Sequence, residues 1–85
     1  MRCRLCGREA SKLQEREGYA IECRRCGSYW LASVLVREVL RPHADQLSLA
    51  VRALNDAGRP RVELYGLADI RRVLAEAEEL EPVAH

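Results

Sequence analysis

Two short cysteine pairs constrain the fold of this chain more than any other feature. The sequence contains Cys3-Arg-Leu-Cys6-Gly7 and, sixteen residues after Cys6, Cys23-Arg-Arg-Cys26-Gly27, and it has no other cysteine. Two C-x₂-C pairs at this separation match the spacing of a structural tetrathiolate site. Glycine after each pair tolerates positive φ, so that backbone N–H groups turn towards the sulfurs. The sequence therefore predicts one structural Zn²⁺ ion bound by Cys3, Cys6, Cys23 and Cys26.

The predicted site is closed, which argues against catalysis at the metal. Four sulfur ligands leave no coordination position for water or a substrate. Rubredoxin-like iron is the weaker alternative, because rubredoxins have dense aromatic cores and this chain has three Tyr, one Trp and no Phe. A thioredoxin-like redox site needs more chain, and disulfides need an oxidising compartment. The chain begins Met-Arg-Cys without an apolar signal segment, and its longest apolar run, from Tyr29 to Val36, is too short to span a bilayer, so we expect a cytoplasmic protein with no membrane contact.

Length and charge suggest one compact unit with two different halves. Its 85 residues are enough for a single domain, and a core this small usually needs additional stabilisation, for example by a bound metal ion. Residues 1–41, the predicted zinc lobe with a first helix, carry nine basic and five acidic residues. The helical extension, residues 42–85, carries five basic and eight acidic residues. Counting four thiolates and one Zn²⁺ changes the net charge from +1 to about −1.

Residue patterns predict an α+β fold that begins with a β-hairpin. Segment 8–22 has a strand at 11–15 with Leu13 inward, a turn at Glu17-Gly18, and alternation of Tyr19 and Ile21. Two alternatives follow Cys26. A zinc ribbon would have a third strand over 29–32 and a helix over 34–41 capped by Ser33; a treble clef would begin the helix at Trp30 or Leu31, with Val34, Leu35 and Val39 on one face.

The residue pattern of the extension predicts two more helices, which makes about three helices in the whole chain. Asp45 is a candidate N-cap for a helix over 46–57, with Leu47, Ala50, Val51 and Leu54 inward, and Gly58 and Pro60 terminate it. An extended piece over 61–65 leads into a helix over 67–80, whose apolar stripe comprises Leu67, Ile70, Leu74, Ala77 and Leu80.

The candidate contact residues outside the cysteines are arginines. Arg24 and Arg25 lie at the tip of the second cysteine pair, and Arg4 and Arg8 flank the first. Arginine at such positions binds phosphates bidentately, but it also serves as a solvated charge. Tyr29 and Trp30 would add a stacking surface if exposed, and otherwise cover the core.

The cysteine motif also resembles known families. Cys3-x-x-Cys6-Gly7 with Cys23-x-x-Cys26-Gly27-x-Tyr29 is similar to zinc-ribbon lobes of small bacterial proteins of unknown function, and the stretch from Leu47 to Pro60 is similar to an extension behind such ribbons. That resemblance implies the same four zinc ligands. The segment Cys23 to Leu31 also resembles GATA-type fingers, in which a basic tail binds DNA, whereas residues 42–85 here are acidic overall.

We therefore expect a zinc-binding, non-enzymatic module. No phosphate-binding glycine loop, Ser-His-Asp set or carboxylate dyad is visible, and no small-molecule substrate is expected. The first hypothesis is an accessory or adaptor of a complex that handles DNA or RNA, contacting it through Arg4, Arg8, Arg24 and Arg25. The alternative is a protein–protein or homodimerisation module that uses the last helix.

Overall fold

The chain forms a mixed α+β structure in which one four-stranded sheet packs against helices. A computed structural model describes residues 2–35 and 37–80. Along the chain the strands and α-helices are β1 (Ala10–Glu15), β2 (Gly18–Cys23), β3 (Gly27–Ala32), α1 (Arg37–Leu40), α2 (Ala44–Asp56), β4 (Val62–Leu64) and α3 (Leu67–Leu80). The four strands lie in the sheet in the order β1-β2-β3-β4. The predicted fold class is confirmed at this level.

The predicted hairpin is present, with two corrections. The turn is Arg16-Glu17, one residue earlier than predicted, because Gly18 already pairs with Glu15. Leu13 is 64% exposed rather than inward. Its register partner is Ala20, and since directly paired residues share a face, Leu13 lies on the face opposite to that of Ile21.

The chain after Cys26 is a strand, not a helix. β3 pairs antiparallel with β2 from Gly27 to Ala32, so the helix that the treble-clef alternative begins at Trp30 or Leu31 does not form there. The first helix is shorter than the predicted 34–41. It covers only Arg37–Leu40, a 3-10 turn with Pro42 follows, and position 36 lies outside the described residues. Ser33 donates its backbone N–H to Glu17 O at 2.9 Å, and Val34 is 78% exposed.

Both helices of the extension lie close to their predicted positions. The four residues predicted to face inward from α2 are all buried. Asp45 is not the N-cap, because the 3-10 turn runs directly into α2 and His43 takes the cap position without a side-chain bond. In α3 the buried residues are Ile70 and Val73, of which Val73 was not predicted, while Leu67 and Leu80 remain exposed at the helix ends.

The extended piece after α2 joins the sheet, which the sequence pattern did not indicate. β4 pairs in parallel with β3, from Tyr29–Val62 to Leu31–Leu64. Val62 and Leu64 are fully buried, and one apolar cluster contains them together with Cys3, Cys23 and Cys26 and with Ile70 of α3. Among the described residues, no helix has the length and hydropathy needed to cross a membrane.

Candidate metal centre and its basic surroundings

The first cysteine pair lies in a tight loop closed by its own backbone. Cys3 N–H donates to Arg8 O at 2.7 Å, and Gly7 N–H donates to Cys3 O at 3.0 Å. Gly7 has φ of +79°, a conformation that glycine adopts without steric penalty. Leu5, between the cysteines, is buried in the core. Local hydrogen bonds therefore place the two sulfurs of this knuckle, which we define as residues 3–7.

The second knuckle, residues 23–27, connects β2 directly to β3. Cys23 and Gly27 are register partners in the two strands, and Gly27 has φ of +102°. The hairpin of β1 and β2 carries the chain from one knuckle to the other. The predicted fold-back of the sixteen-residue segment therefore brings the knuckles together.

The four sulfur atoms lie at the spacing of one metal site. Cys3 Sγ is 3.7 Å from Cys26 Sγ, Cys6 Sγ is 3.6 Å from Cys23 Sγ, and all four lie within 4.8 Å of one another. A tetrahedral ion with Zn–S bonds of about 2.3 Å requires sulfur–sulfur separations of about 3.8 Å. A disulfide requires about 2.0 Å, so the four thiols are free. These residues fit one metal ion, as predicted.

Each sulfur also faces hydrogen-bond donors. Tyr29 lies with its hydroxyl 3.2 Å from Cys3 Sγ while accepting the Arg4 N–H at 3.1 Å, so its own proton points to the sulfur. Ser48 Oγ is 3.0 Å from Cys26 Sγ. Backbone N–H groups supply the rest, with Leu5 donating to Cys3 at 3.4 Å and Arg8 interacting with Cys6. Such donors orient metal-bound thiolates and stabilise their charge.

Burial and these donors act in opposite directions on the thiols. Burial raises the pKa of Cys26 far above its usual value, with the Ser48 hydroxyl opposing this only in part. At Cys23 burial also acts to raise the pKa, but the N–H groups of Cys26 and Arg25 outweigh it and lower the pKa to about 7. Burial and neighbouring Cys3 raise the pKa of Tyr29, which keeps its hydroxyl protonated as a donor. A bound cation would deprotonate all four thiols.

One face of α2 holds the second knuckle, and sequence analysis missed it. Arg52 Nη1 donates to the carbonyls of Arg24 and Arg25 at 3.0 and 3.3 Å. Asn55 accepts the Ser28 N–H at 2.6 Å and donates to Ser28 O at 3.3 Å. Together with Ser48 these residues follow the i, i+4, i+7 spacing of one helical stripe. That polar stripe beside the predicted apolar one is the signal that could have identified them.

Three of the four predicted arginines lie together. Arg8, Arg24 and Arg25 line one surface groove of about 480 Å³, which also contains Glu9 and Cys23. Arg4 is not in this groove and lines a different cavity beside Cys3. All four arginines are exposed. The two aromatic residues are buried and form no stacking surface, and Tyr29 packs in the apolar cluster. Trp30 Nε1 instead donates to the Glu15 carboxylate at 3.0 Å, and the centroid of the Trp30 ring lies 5.0 Å from that of the Tyr65 ring.

Comparison with known proteins identifies no relatives. The sequence matches no protein-family model, and neither a curated protein nor a solved structure is significantly similar to it.

Proposed function

We propose that this chain is a zinc-stabilised, non-enzymatic binding module that contacts nucleic acid through its basic zinc lobe, as an accessory or adaptor of a larger complex. The observation that carries this proposal is the groove lined by Arg8, Arg24 and Arg25. Zinc is the metal of choice because a closed set of four thiolates is typical of structural zinc sites. The strand after the second knuckle supports the zinc-ribbon form of the lobe.

The arginines of the groove are positioned by their backbone and leave their charges exposed. Arg52 fixes the carbonyls of Arg24 and Arg25, and Cys23, next to Arg24, is a ligand candidate. Within residues 2–35 and 37–80, no ion pair involves Arg8, Arg24 or Arg25. Glu9 lies in the same groove and has an interaction of its own. Exposed guanidinium groups on a fixed backbone are available to bind phosphate bidentately.

The test is binding of labelled single- and double-stranded oligonucleotides at two salt concentrations. For single strands, each lost phosphate contact reduces the slope of log affinity against log salt concentration by about 0.7 in magnitude. R24Q/R25Q should therefore reduce that slope by about 1.4. The matched control is R16Q/R71Q, which removes the same charge from exposed positions outside the groove. Absence of binding at low salt, or equal losses in both double variants, would refute the proposal. Measuring one zinc per colourless chain tests the metal separately.

The alternative function is homodimerisation through the helical extension. An apolar groove of about 380 Å³ lies between α2 and α3, where Leu49 is 71% exposed beside Leu74 and Ala77. Apolar surface of this kind is typical of contact sites. Light scattering after size exclusion tests this directly: a dimer that Leu49→Glu converts to a monomer supports the alternative, and a monomeric native chain contradicts it.

A further inference from the structure

A second basic cavity lies at the first knuckle, away from the proposed nucleic-acid groove. It has a volume of about 430 Å³ and adjoins Cys3 and Gly7. Four of its lining residues are cationic and none is acidic; the cations are Arg2, Arg4, Lys12 and Arg41. It shares no lining residue with the groove of Arg8, Arg24 and Arg25. The two basic features are therefore separate sites.

Two of the four cations, Arg2 and Lys12, have side-chain contacts with groups other than carboxylates. Arg2 Nη1 donates to Gly7 O at 3.0 Å, and Lys12 Nζ lies 4.6 Å from the centre of the Tyr19 ring. The backbone of Arg4 is anchored through its N–H to Tyr29. In the part of the chain that the structure describes, none of the four forms an ion pair. A zinc tetrathiolate that includes Cys3 would offset about two of these four positive charges, and the remaining excess of about two would favour a bound anion.

We infer that this cavity binds a terminal phosphate group of a nucleotide. A phosphomonoester carries about −1.5 to −2 charges at pH 7, more than the single charge of an internal phosphodiester, and so better matches an excess of about two positive charges. Its oxygens accept bidentate bonds from arginine. The cavity also has the size typical of small-ligand sites, about 300–1,000 Å³.

The neighbouring surface supplies a place for the rest of the nucleotide. A smaller cavity of about 210 Å³ shares Arg4 and Leu40 with the basic one and is lined by Tyr19, Leu31 and Leu35, among others. An aromatic and aliphatic wall of this kind suits a base or a sugar, with the phosphate in the adjoining basic cavity. The phosphate could belong to a free mononucleotide or to the end of a strand, because both present the same group.

The test compares probes that differ only in the terminal phosphate. Hexathymidylate with a 5′-phosphate, with a 3′-phosphate or with neither is titrated into the zinc-loaded chain, and thymidine 5′-monophosphate forms a separate arm. We expect at least one phosphorylated probe to bind about tenfold more tightly than the unphosphorylated strand, as one charge-assisted contact provides. Amide resonances of Gly7 and Ala44, which line the cavity, should shift. Tight binding of the monophosphate alone assigns a free nucleotide, and tight binding of a phosphorylated strand assigns a strand end.

The variant pair separates this cavity from general charge and from the groove. K12Q/R41Q removes two cavity cations that lie outside both knuckles, and should abolish the tenfold preference while metal content stays the same. The control R16Q/R71Q removes equal charge elsewhere and should keep the preference, as should R24Q/R25Q even if it eliminates strand binding through the groove. Equal affinity for all strands with no binding of the monophosphate, or equal loss of preference in K12Q/R41Q and its control, would overturn the inference.

Discussion

The two knuckles have almost the same sequence but are stabilised in different ways. Residues 3–7 are closed by local bonds among Cys3, Gly7 and Arg8. Residues 23–27 are held from outside, through Arg52 and Asn55 of α2. The two glycines show the same difference, because a Cβ at Gly7 would meet nothing within 4 Å whereas a Cβ at Gly27 would overlap Asn55 Oδ1.

This difference indicates what the helical extension does for the metal centre. The backbone loop of the first knuckle is closed by its own few residues, and from outside the loop Tyr29 of β3 accepts the Arg4 N–H. The second knuckle depends on a helix that begins about twenty residues later, and Ser48 of that helix faces one of its sulfurs. Perturbations of the second knuckle should therefore spread into α2, while those of the first should spare α2 and reach β3 through Tyr29.

Removing the metal should have the largest effect and should reveal the difference. Structural zinc provides about 10–16 kcal/mol of folding free energy in small domains, as much as the whole stability of a typical chain. A strong chelator should therefore sharply lower the thermal midpoint measured by circular dichroism. Any remaining protection from hydrogen exchange should be greater at Ser28 N–H, bound by Asn55, than at Gly7 N–H. An unchanged midpoint, or greater protection at Gly7, would contradict this account.

Replacing the glycine of each knuckle with alanine should have the second-largest effect on stability and should destabilise the second knuckle more than the first. Gly7→Ala forces a positive φ on alanine and should lower the free energy of unfolding by about 1–2 kcal/mol. Gly27→Ala adds a clash with Asn55 and should lower it by about 2–5 kcal/mol. Urea denaturation of the zinc-loaded variants measures both. In an Asn55→Ala background, the additional loss of unfolding free energy caused by Gly27→Ala relative to Gly7→Ala should become smaller. Equal losses for the two glycine variants in the native background would show that the helix does not constrain the second knuckle.

Loss of the Asn55 side chain should destabilise the second knuckle specifically. Asn55→Ala leaves the Ser28 N–H without its acceptor and should lower the free energy of unfolding by about 1–3 kcal/mol. Gln14→Ala, which removes an exposed amide from β1, is the matched control and should change stability little. Amide exchange should quicken around Ser28 and remain unchanged around Gly7. Equal responses in both knuckles would count against the comparison.

Removing the hydroxyls that face the sulfurs should have the smallest effect. Ser48→Ala should lower metal affinity about tenfold, in the range for groups that support metal ligands. Tyr29→Phe should lower it by more, because it also leaves the Arg4 N–H without its acceptor. Competition with a chromophoric chelator measures both, with Ser11→Ala on exposed β1 as control. Affinities equal to that of the control would show that the hydroxyls do not support the site.

Local patterns were sufficient for the cysteine cluster and for the long helices. The spacing of the cysteines predicts the four sulfurs that the structure brings within 4.8 Å, and the helical period predicts which face of α2 is buried. Leu13 was misplaced because alternation shows that two faces differ, not which one meets the core. Asp45 was misassigned because a 3-10 turn before α2 removes the need for a capping side chain.

The sequence by itself predicted which four sulfurs come together, since the glycine after each cysteine pair allows the positive φ that both knuckles adopt. Only the tertiary structure decided that β4 joins β3, that Ser48, Arg52 and Asn55 support the second knuckle, and that Arg4 lies apart from the other candidate arginines. These are contacts between residues distant in sequence. Their formation depends on how the buried faces of the sheet and helices pack, which no short motif specifies.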